Sequence, residues 1–145
     1  MQEKLNKEFS STFNVFKKSI LRLHERGVLV ALCSKNNEQD VWEVMDKNQN
    51  CLIKRKHLSA WRVNWRDKAS NLRELANELN LGLDSFVFVD DSPMECELVK
   101  ELVPEVTVLM VPEKLYNYPT LHLNTFYSFQ IWLPKYPGYF LPTLK

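Results

Sequence analysis

The sequence lacks the features that would place it in a membrane, outside the cell or on nucleic acid. No apolar run approaches the roughly 20 residues that span a bilayer, and the N-terminal stretch MQEKLNKEFSS has no apolar segment typical of a secretory signal. The formal net charge is only +1, so the charge balance favours neither nucleic acid nor an anionic membrane as a partner. We therefore expect a cytoplasmic protein that binds neither of them.

Cysteine is also scarce. Cys33, Cys51 and Cys96 are an odd number of thiols at wide spacing, which matches neither a disulfide framework nor a zinc site. Reduced thiols agree with a cytoplasmic location. The 145 residues, 45% of them hydrophobic, are enough for one domain with a substantial core, and we predict a single domain over residues 1–145.

Helical and strand patterns alternate along the chain. Apolar residues spaced by three or four predict a first helix from Leu5 to Leu23, with Gly27 at its C-terminal end. Three short apolar runs are typical of buried parallel strands. They are VLVAL (28–32), FVFV (86–89) and VTVLM (106–110).

Capping residues predict three further helices. One begins after Asn36 or Asn37, one after Asp67, and one at Ser92–Pro93, ending near Leu102. Residues 48–66, rich in Trp and Arg, and the chain beyond Pro112 show no clear period and are predicted to be irregular. The alternation predicts an α/β domain with a mostly parallel sheet.

Two adjacent carboxylates follow the FVFV run, at the strand end where ligands bind in parallel sheets. Neighbouring carboxylates repel each other, and a divalent cation removes that repulsion. Magnesium prefers hard oxygen ligands and commonly takes one or two protein carboxylates. Asp90 and Asp91 therefore indicate a magnesium site. The alternative is that one aspartate caps the next helix and the other is solvated.

Two other polar residues fit phosphate chemistry. Ser34 follows the VLVAL strand and precedes a helix, so its hydroxyl and backbone N–H can donate to a phosphate. Lys68, in the first turn of a helix, can neutralise a phosphate or a nearby carboxylate. Taken singly, an ordinary loop serine and a solvated surface lysine remain the simpler interpretations.

The order Ser34, Lys68, Asp90–Asp91 resembles the motif order of the haloacid dehalogenase (HAD) superfamily of phosphohydrolases and phosphotransferases. The strings CSKNN, W-R-x-N-W and VDDSPxE resemble most closely its FkbH-like branch, subfamily IIIC. The resemblance covers about residues 16–118 and leaves a divergent aromatic and Pro-rich tail over 119–145. It implies a HAD-like (Rossmannoid) three-layer sandwich.

The resemblance also implies roles for individual residues. Ser34 is then a phosphate ligand, Asn36 helps to order the phosphate loop, and Lys68 is both a phosphate ligand and a catalytic residue. Asp90 and Asp91 hold Mg²⁺. The branch is associated with loading a glyceryl unit from a phosphorylated glycerate onto an acyl carrier protein, so the implied partners are a small phosphorylated substrate or an acyl carrier protein.

One motif of the family is missing. Enzymes of the HAD superfamily carry the motif Asp-x-Asp-x-Thr on an N-terminal strand, and the first aspartate of this motif attacks phosphorus. This sequence has no aspartate before Gly27. Three explanations stay open: a fragment of a longer protein, a degenerate relative, or completion by another chain.

Whether the chain is an enzyme therefore stays open as well. We expect a magnesium-dependent phosphatase or phosphotransferase domain of the FkbH-like type that is a fragment or inactive as it stands. The alternative is a non-catalytic binding module on a degenerate HAD fold. The two differ in whether the predicted site residues still bind magnesium and phosphate.

The missing motif also implies a missing first strand, which lies centrally in the family's sheet. We expect its neighbours to pair directly, or another chain to fill the gap. The aromatic tail is expected to cover apolar surface of its own domain or to form a contact in a homo-oligomer. For Trp61 and Trp65 of the W-R-x-N-W string, buried packing is the expected role.

Overall fold

A computed structural model describes residues 17–49, 51–110 and the backbone of 128–132. Residues 17–25 are helical and form α1. The other helices are α2 (Glu38–Lys47), α3 (Lys68–Leu79) and α4 (Pro93–Leu102). The strands are β1 (Val30–Ser34), β2 (Leu58–Val63), β3 (Phe86–Asp90), β4 (Thr107–Met110) and β5 (Ser128–Trp132). The start of the predicted first helix and most of the 119–145 tail lie outside the described residues.

The five strands form one sheet in the order β2-β1-β5-β3-β4. β1 is parallel to β2, and β3 is parallel to β4. β5 is antiparallel to both β1 and β3, so the other four strands all run in one direction. This confirms the predicted α/β class with a mostly parallel sheet.

The centre of the sheet differs from the expectation. Direct pairing of β1 with β3, or a strand from another chain, was expected to close the gap left by a missing first strand. Instead, β5 lies between β1 and β3, pairing Gln130 with both Ala31 and Phe88. Part of the tail that was predicted to be irregular is therefore a central strand. A sheet with unpaired inner edges would expose backbone donors and acceptors, and β5 satisfies them.

Helices cover both faces of the sheet, as the three-layer expectation requires. Strand residues alternate between the two cores, as the pleat dictates. Val30 and Leu32 belong to one core with residues of α1 and α2, whereas Ala31 and Cys33 belong to the other with residues of α3 and α4. None of the described helices has the length and apolarity needed to span a bilayer.

The predicted helix ends are largely confirmed. Gly27 has φ +94°, and the N–H groups of Gly27 and Val28 donate to the carbonyls of His24 and Leu23 at the end of α1. The Asp67 side chain accepts from Ser70 N at 2.8 Å at the start of α3. Ser92 accepts from Glu95 N at 3.3 Å at the start of α4.

Residues 48–66 were predicted to be irregular, and this is wrong for β2. Leu58, Ala60 and Val63 are buried, while Ser59 is exposed. β2 is one of the two edge strands of the described sheet, so only one of its sides pairs and polar residues are tolerated within it. Its weak apolar pattern hides the strand in the sequence.

Candidate functional site

The residues predicted to bind phosphate and metal lie at one edge of the sheet. Ser34 is the last residue of β1 and Asp90 is the last residue of β3. Because β1 and β3 are both antiparallel to β5, their carboxyl ends lie on the same side. Lys68 is the first residue of α3, which follows the carboxyl end of β2. The edge therefore holds all three motif positions.

Lys68 and Asp90 form a buried ion pair. The Lys68 Nζ donates to Asp90 Oδ2 at 2.5 Å, and the two side chains are only 8% and 1% exposed. A cation in the first turn of a helix is disfavoured by the helix dipole, and burial disfavours it further. The carboxylate of Asp90 offsets both effects, so this lysine is held at the sheet edge and is not a solvated surface residue.

Asp90 is also fixed from its other oxygen. Its Oδ1 accepts from Ser92 N at 3.0 Å, and its carbonyl accepts from the Cys96 thiol at 3.7 Å. The Asp90 side chain is therefore oriented both by α3 and by the start of α4. Neither aspartate caps α4, because Ser92 does so.

Asp91 has a raised pKa at this edge. Burial, followed by a hydrogen bond to the Asp90 side chain and the charge of Asp90, raises the pKa of Asp91 to about 6. A raised carboxyl pKa next to a second carboxylate is a feature of sites where negative charge is not fully compensated. Lys68 offsets only part of this charge.

The two aspartates fit a magnesium ion by their chemistry. They offer hard carboxylate oxygens on neighbouring residues, and Mg²⁺ commonly takes one or two such ligands with several waters. Among residues 17–49 and 51–110, no group of three or more His, Cys, Asp or Glu side chains is placed to hold a metal. A closed, all-protein metal cage is therefore not the arrangement found there.

The loop after Ser34 is held from two sides. The Ser34 carbonyl accepts from Asn64 N at 3.1 Å. The Asn36 side chain accepts from Asn37 N at 2.8 Å, which orders the loop just before α2. The role of Asn36 in ordering this loop stays a prediction, and so does phosphate binding by Ser34, Asn36 and Lys68.

A second charged pair at this edge was missed by the sequence analysis. Lys35 Nζ lies 2.7 Å from Glu95 Oε1, and Glu95 is buried. This pair joins the loop after β1 to the first turn of α4. Glu95 looked in the sequence like an ordinary acid near a helix start, which gave no sign of its burial.

Asn71 was also missed. It is fully buried, and its amide exchanges hydrogen bonds with Asn64 at 2.8 and 3.3 Å. The sequence could have predicted the burial of Asn71, because this residue lies one turn after Lys68 on the same helix face as Leu72 and Leu75. A polar residue on an apolar face needs a partner, and here the partner is in the loop after β2.

Cys33 lies beside this cluster but is not a candidate nucleophile. Burial raises the pKa of the Cys33 thiol to about 12, with opposing smaller contributions from Lys68 and Asp90. A thiol with this pKa is protonated at neutral pH, and only the thiolate is a strong nucleophile.

The W-R-x-N-W string has separate structural roles. Trp61 packs edge-to-face on Trp42 at 5.2 Å, and both indoles donate to Glu38. Arg62 bridges Glu74 and Glu78 on α3. The expected burial is wrong for Trp65, which is 69% exposed.

Comparison with solved structures finds a relative of this chain. No family model and no curated protein matches it. The chain is similar to a crystal structure of the N-terminal part of the protein BF1531 from Bacteroides fragilis, which contains a phosphatase domain and is complexed with Mg. The TM-score is 0.69 and the sequence identity is 39%.

The match covers 74% of this chain and 28% of the Bacteroides chain. At this identity and TM-score, the similarity extends to the arrangement of strands and helices described above. The mixed sheet with four co-directional strands and helices on both faces is therefore a HAD-like fold, similar to that of the Bacteroides phosphatase domain.

Proposed function

We propose that this chain supplies the phosphate-binding and magnesium-binding part of an FkbH-like, magnesium-dependent phosphatase or phosphotransferase. The observation that carries the proposal is the buried Lys68–Asp90 pair beside Asp91, at the sheet edge that also ends in Ser34. The Bacteroides relative, which contains a phosphatase domain with Mg, supports the same chemistry.

Each residue has a defined task in this proposal. Asp90 and Asp91 hold Mg²⁺, which when bound offsets the negative charge of a phosphate group. The Ser34 hydroxyl donates a hydrogen bond to a phosphate oxygen. Lys68 offsets the charge of the phosphate from the α3 side, while its bond to Asp90 keeps its ammonium group in position. These are positioning and charge-stabilising tasks, on which phosphoryl transfer depends.

The nucleophilic aspartate that the resemblance implies has no counterpart in the sequence. The sequence has no Asp-x-Asp-x-Thr motif, and the Cys33 thiol is protonated at neutral pH. We therefore expect this chain alone to bind phosphate in the presence of Mg²⁺ without hydrolysing p-nitrophenyl phosphate.

The non-catalytic alternative has one observation in its favour. β5 makes the sheet continuous between β1 and β3, so the described sheet has no gap there for a further central strand. A binding module of this kind would keep the fold and lose the ligand affinities.

Calorimetric titration distinguishes the two proposals. Inorganic phosphate is titrated into the chain with Mg²⁺ or with EDTA, and into the variants Ser34→Ala and Asp91→Asn. We expect binding only with Mg²⁺, weakened in both variants. Folded protein that binds neither Mg²⁺ nor phosphate would overturn the phosphatase proposal and leave the binding module. Magnesium-dependent hydrolysis abolished by Asp91→Asn would show that the chain does contain an attacking group.

A further inference from the structure

Trp65 is the most exposed large apolar side chain of the described residues, at 69%. Tryptophan usually buries most of its surface, and an exposed indole is common where proteins bind ligands or partners. It lies in the loop that follows β2. Because β2 is parallel to β1, this loop leaves the sheet at the same edge as Ser34.

Two hydrogen bonds place Trp65 against the loop after Ser34. Its backbone neighbour Asn64 donates its N–H to the Ser34 carbonyl at 3.1 Å. The Trp65 Nε1–H donates to Asn37 Oδ1 at 3.3 Å. The indole is therefore held beside the loop formed by residues 34–37.

The loop that carries Trp65 is rigidly attached to α3. The side chain of Asn64 exchanges hydrogen bonds with buried Asn71, and its Oδ1 also accepts from Arg66 N at 3.1 Å. Arg66 pairs with Glu74 at 2.7 Å. An exposed ring on a fixed loop loses little freedom when it binds a ligand, which favours affinity.

We propose that Trp65 contacts the organic group of a phosphate monoester whose phosphate lies against Ser34 and Lys68. This inference rests on the proposed function. An indole face attracts apolar and aromatic surface, so phenyl phosphate is the probe that reports this contact most strongly and methyl phosphate the one that reports it least.

Titration of three ligands with Mg²⁺ tests this: phenyl phosphate, methyl phosphate and inorganic phosphate. For the unaltered chain we expect phenyl phosphate to bind about tenfold more tightly than methyl phosphate, which corresponds to one favourable aromatic contact. In Trp65→Ala we expect this preference to fall to about twofold or less, with the affinity for inorganic phosphate unchanged.

Three control variants separate ring contact from loop positioning. Trp65→Phe keeps an aromatic face and loses the N–H that bonds to Asn37, and Asn37→Ala removes the same bond from the other side. We expect both to keep the phenyl preference. Leu102→Ala alters another exposed apolar residue, at the opposite end of α4 from the site, and should change nothing. Circular dichroism checks that each variant is folded.

The outcomes are distinguishable. Absence of magnesium-dependent binding of all three ligands overturns the proposed function, and this inference with it. Binding of inorganic phosphate without a phenyl preference overturns only the inference. A phenyl preference that survives Trp65→Ala, or that is lost equally in Trp65→Phe, also overturns it; the former outcome would leave the exposed ring as a contact for a protein partner.

Discussion

Lys68→Met should destabilise the protein strongly, because it leaves a buried carboxylate without its cation. The side chains of Lys68 and Asp90 are 8% and 1% exposed, so solvent cannot replace the lost partner. Removing one member of such a buried pair typically costs about 3–5 kcal/mol of unfolding free energy. Methionine keeps the length and apolar stem of lysine, so the loss reports mainly on the charge. Urea denaturation followed by circular dichroism at neutral pH measures it.

A double-mutant cycle isolates the interaction itself. Asp90→Asn alone should also destabilise, because it removes the carboxylate to which the buried Lys68 ammonium is bonded. The double variant Lys68→Met/Asp90→Asn should lose less than the sum of the single losses, by about 2–3 kcal/mol. Added Mg²⁺ should raise the urea midpoint of Lys68→Met, because the cation substitutes for the missing positive charge beside Asp90 and Asp91.

An exposed pair of the same type provides the control. Lys100 bonds to Glu97 at 2.9 Å with side chains that are 54% and 73% exposed, and such pairs contribute little in water. Lys100→Met should therefore leave the urea midpoint unchanged. Two results would contradict this reasoning. One is that the losses of unfolding free energy in Lys68→Met and Asp90→Asn add up to that of the double variant within about 0.5 kcal/mol. The other is that Lys68→Met has the same urea midpoint as the parent, as the control does.

The other predictions concern charge, polar burial and the central strand. Because the pKa of Asp91 is raised to about 6, its ionised carboxylate opposes folding at higher pH. This cost is lost as the pH falls below both that pKa and the ordinary aspartate pKa of 3.8. Metal-free Asp91→Asn should therefore have a higher Tm than the parent at about pH 8 and the same Tm at about pH 3, and equal values at both would contradict the shift. Asn71→Leu leaves Asn64 without its partner and should cost about 1–3 kcal/mol in urea denaturation, where an unchanged midpoint would refute the pairing. Ile131→Pro removes a donor from β5, which pairs on both sides, and should destabilise the protein clearly more than Thr107→Pro at the start of edge strand β4; similar losses would argue against β5.

The sequence predicted well where local signals and core patterns agree. Phe86–Asp90 reads as a buried strand, and Ser92–Pro93 predicts a helix start that the structure confirms. Both features depend on short-range chemistry, namely continuous apolar residues, a capping hydroxyl and a proline in the first turn. The sequence also predicted that Ser34 and Asp90 lie at the same edge of the sheet, because both end strands that were predicted to be parallel.

The misses have a shared cause, which is dependence on distant partners. β5 forms because β1 and β3 offer unpaired edges on either side, and nothing within the tail itself specifies that position. Burial of Glu95 likewise depends on Lys35, which is 60 positions away in the sequence. Local patterns cannot specify such long-range pairings, whereas Asn71 could have been found as a polar residue on an apolar helix face.

The position of β5 has a consequence for how the chain folds during synthesis. β1 with β2, and β3 with β4, each pair within a short stretch of sequence, but the strand that joins the two pairs comes more than 15 residues after β4. While the ribosome is still making this last segment, both inner strands expose unsatisfied edges. Long-range pairing of this kind is slow, and unpaired edges invite aggregation. Nascent chains that stop before residue 128 should therefore depend more on chaperones than chains that extend past residue 132.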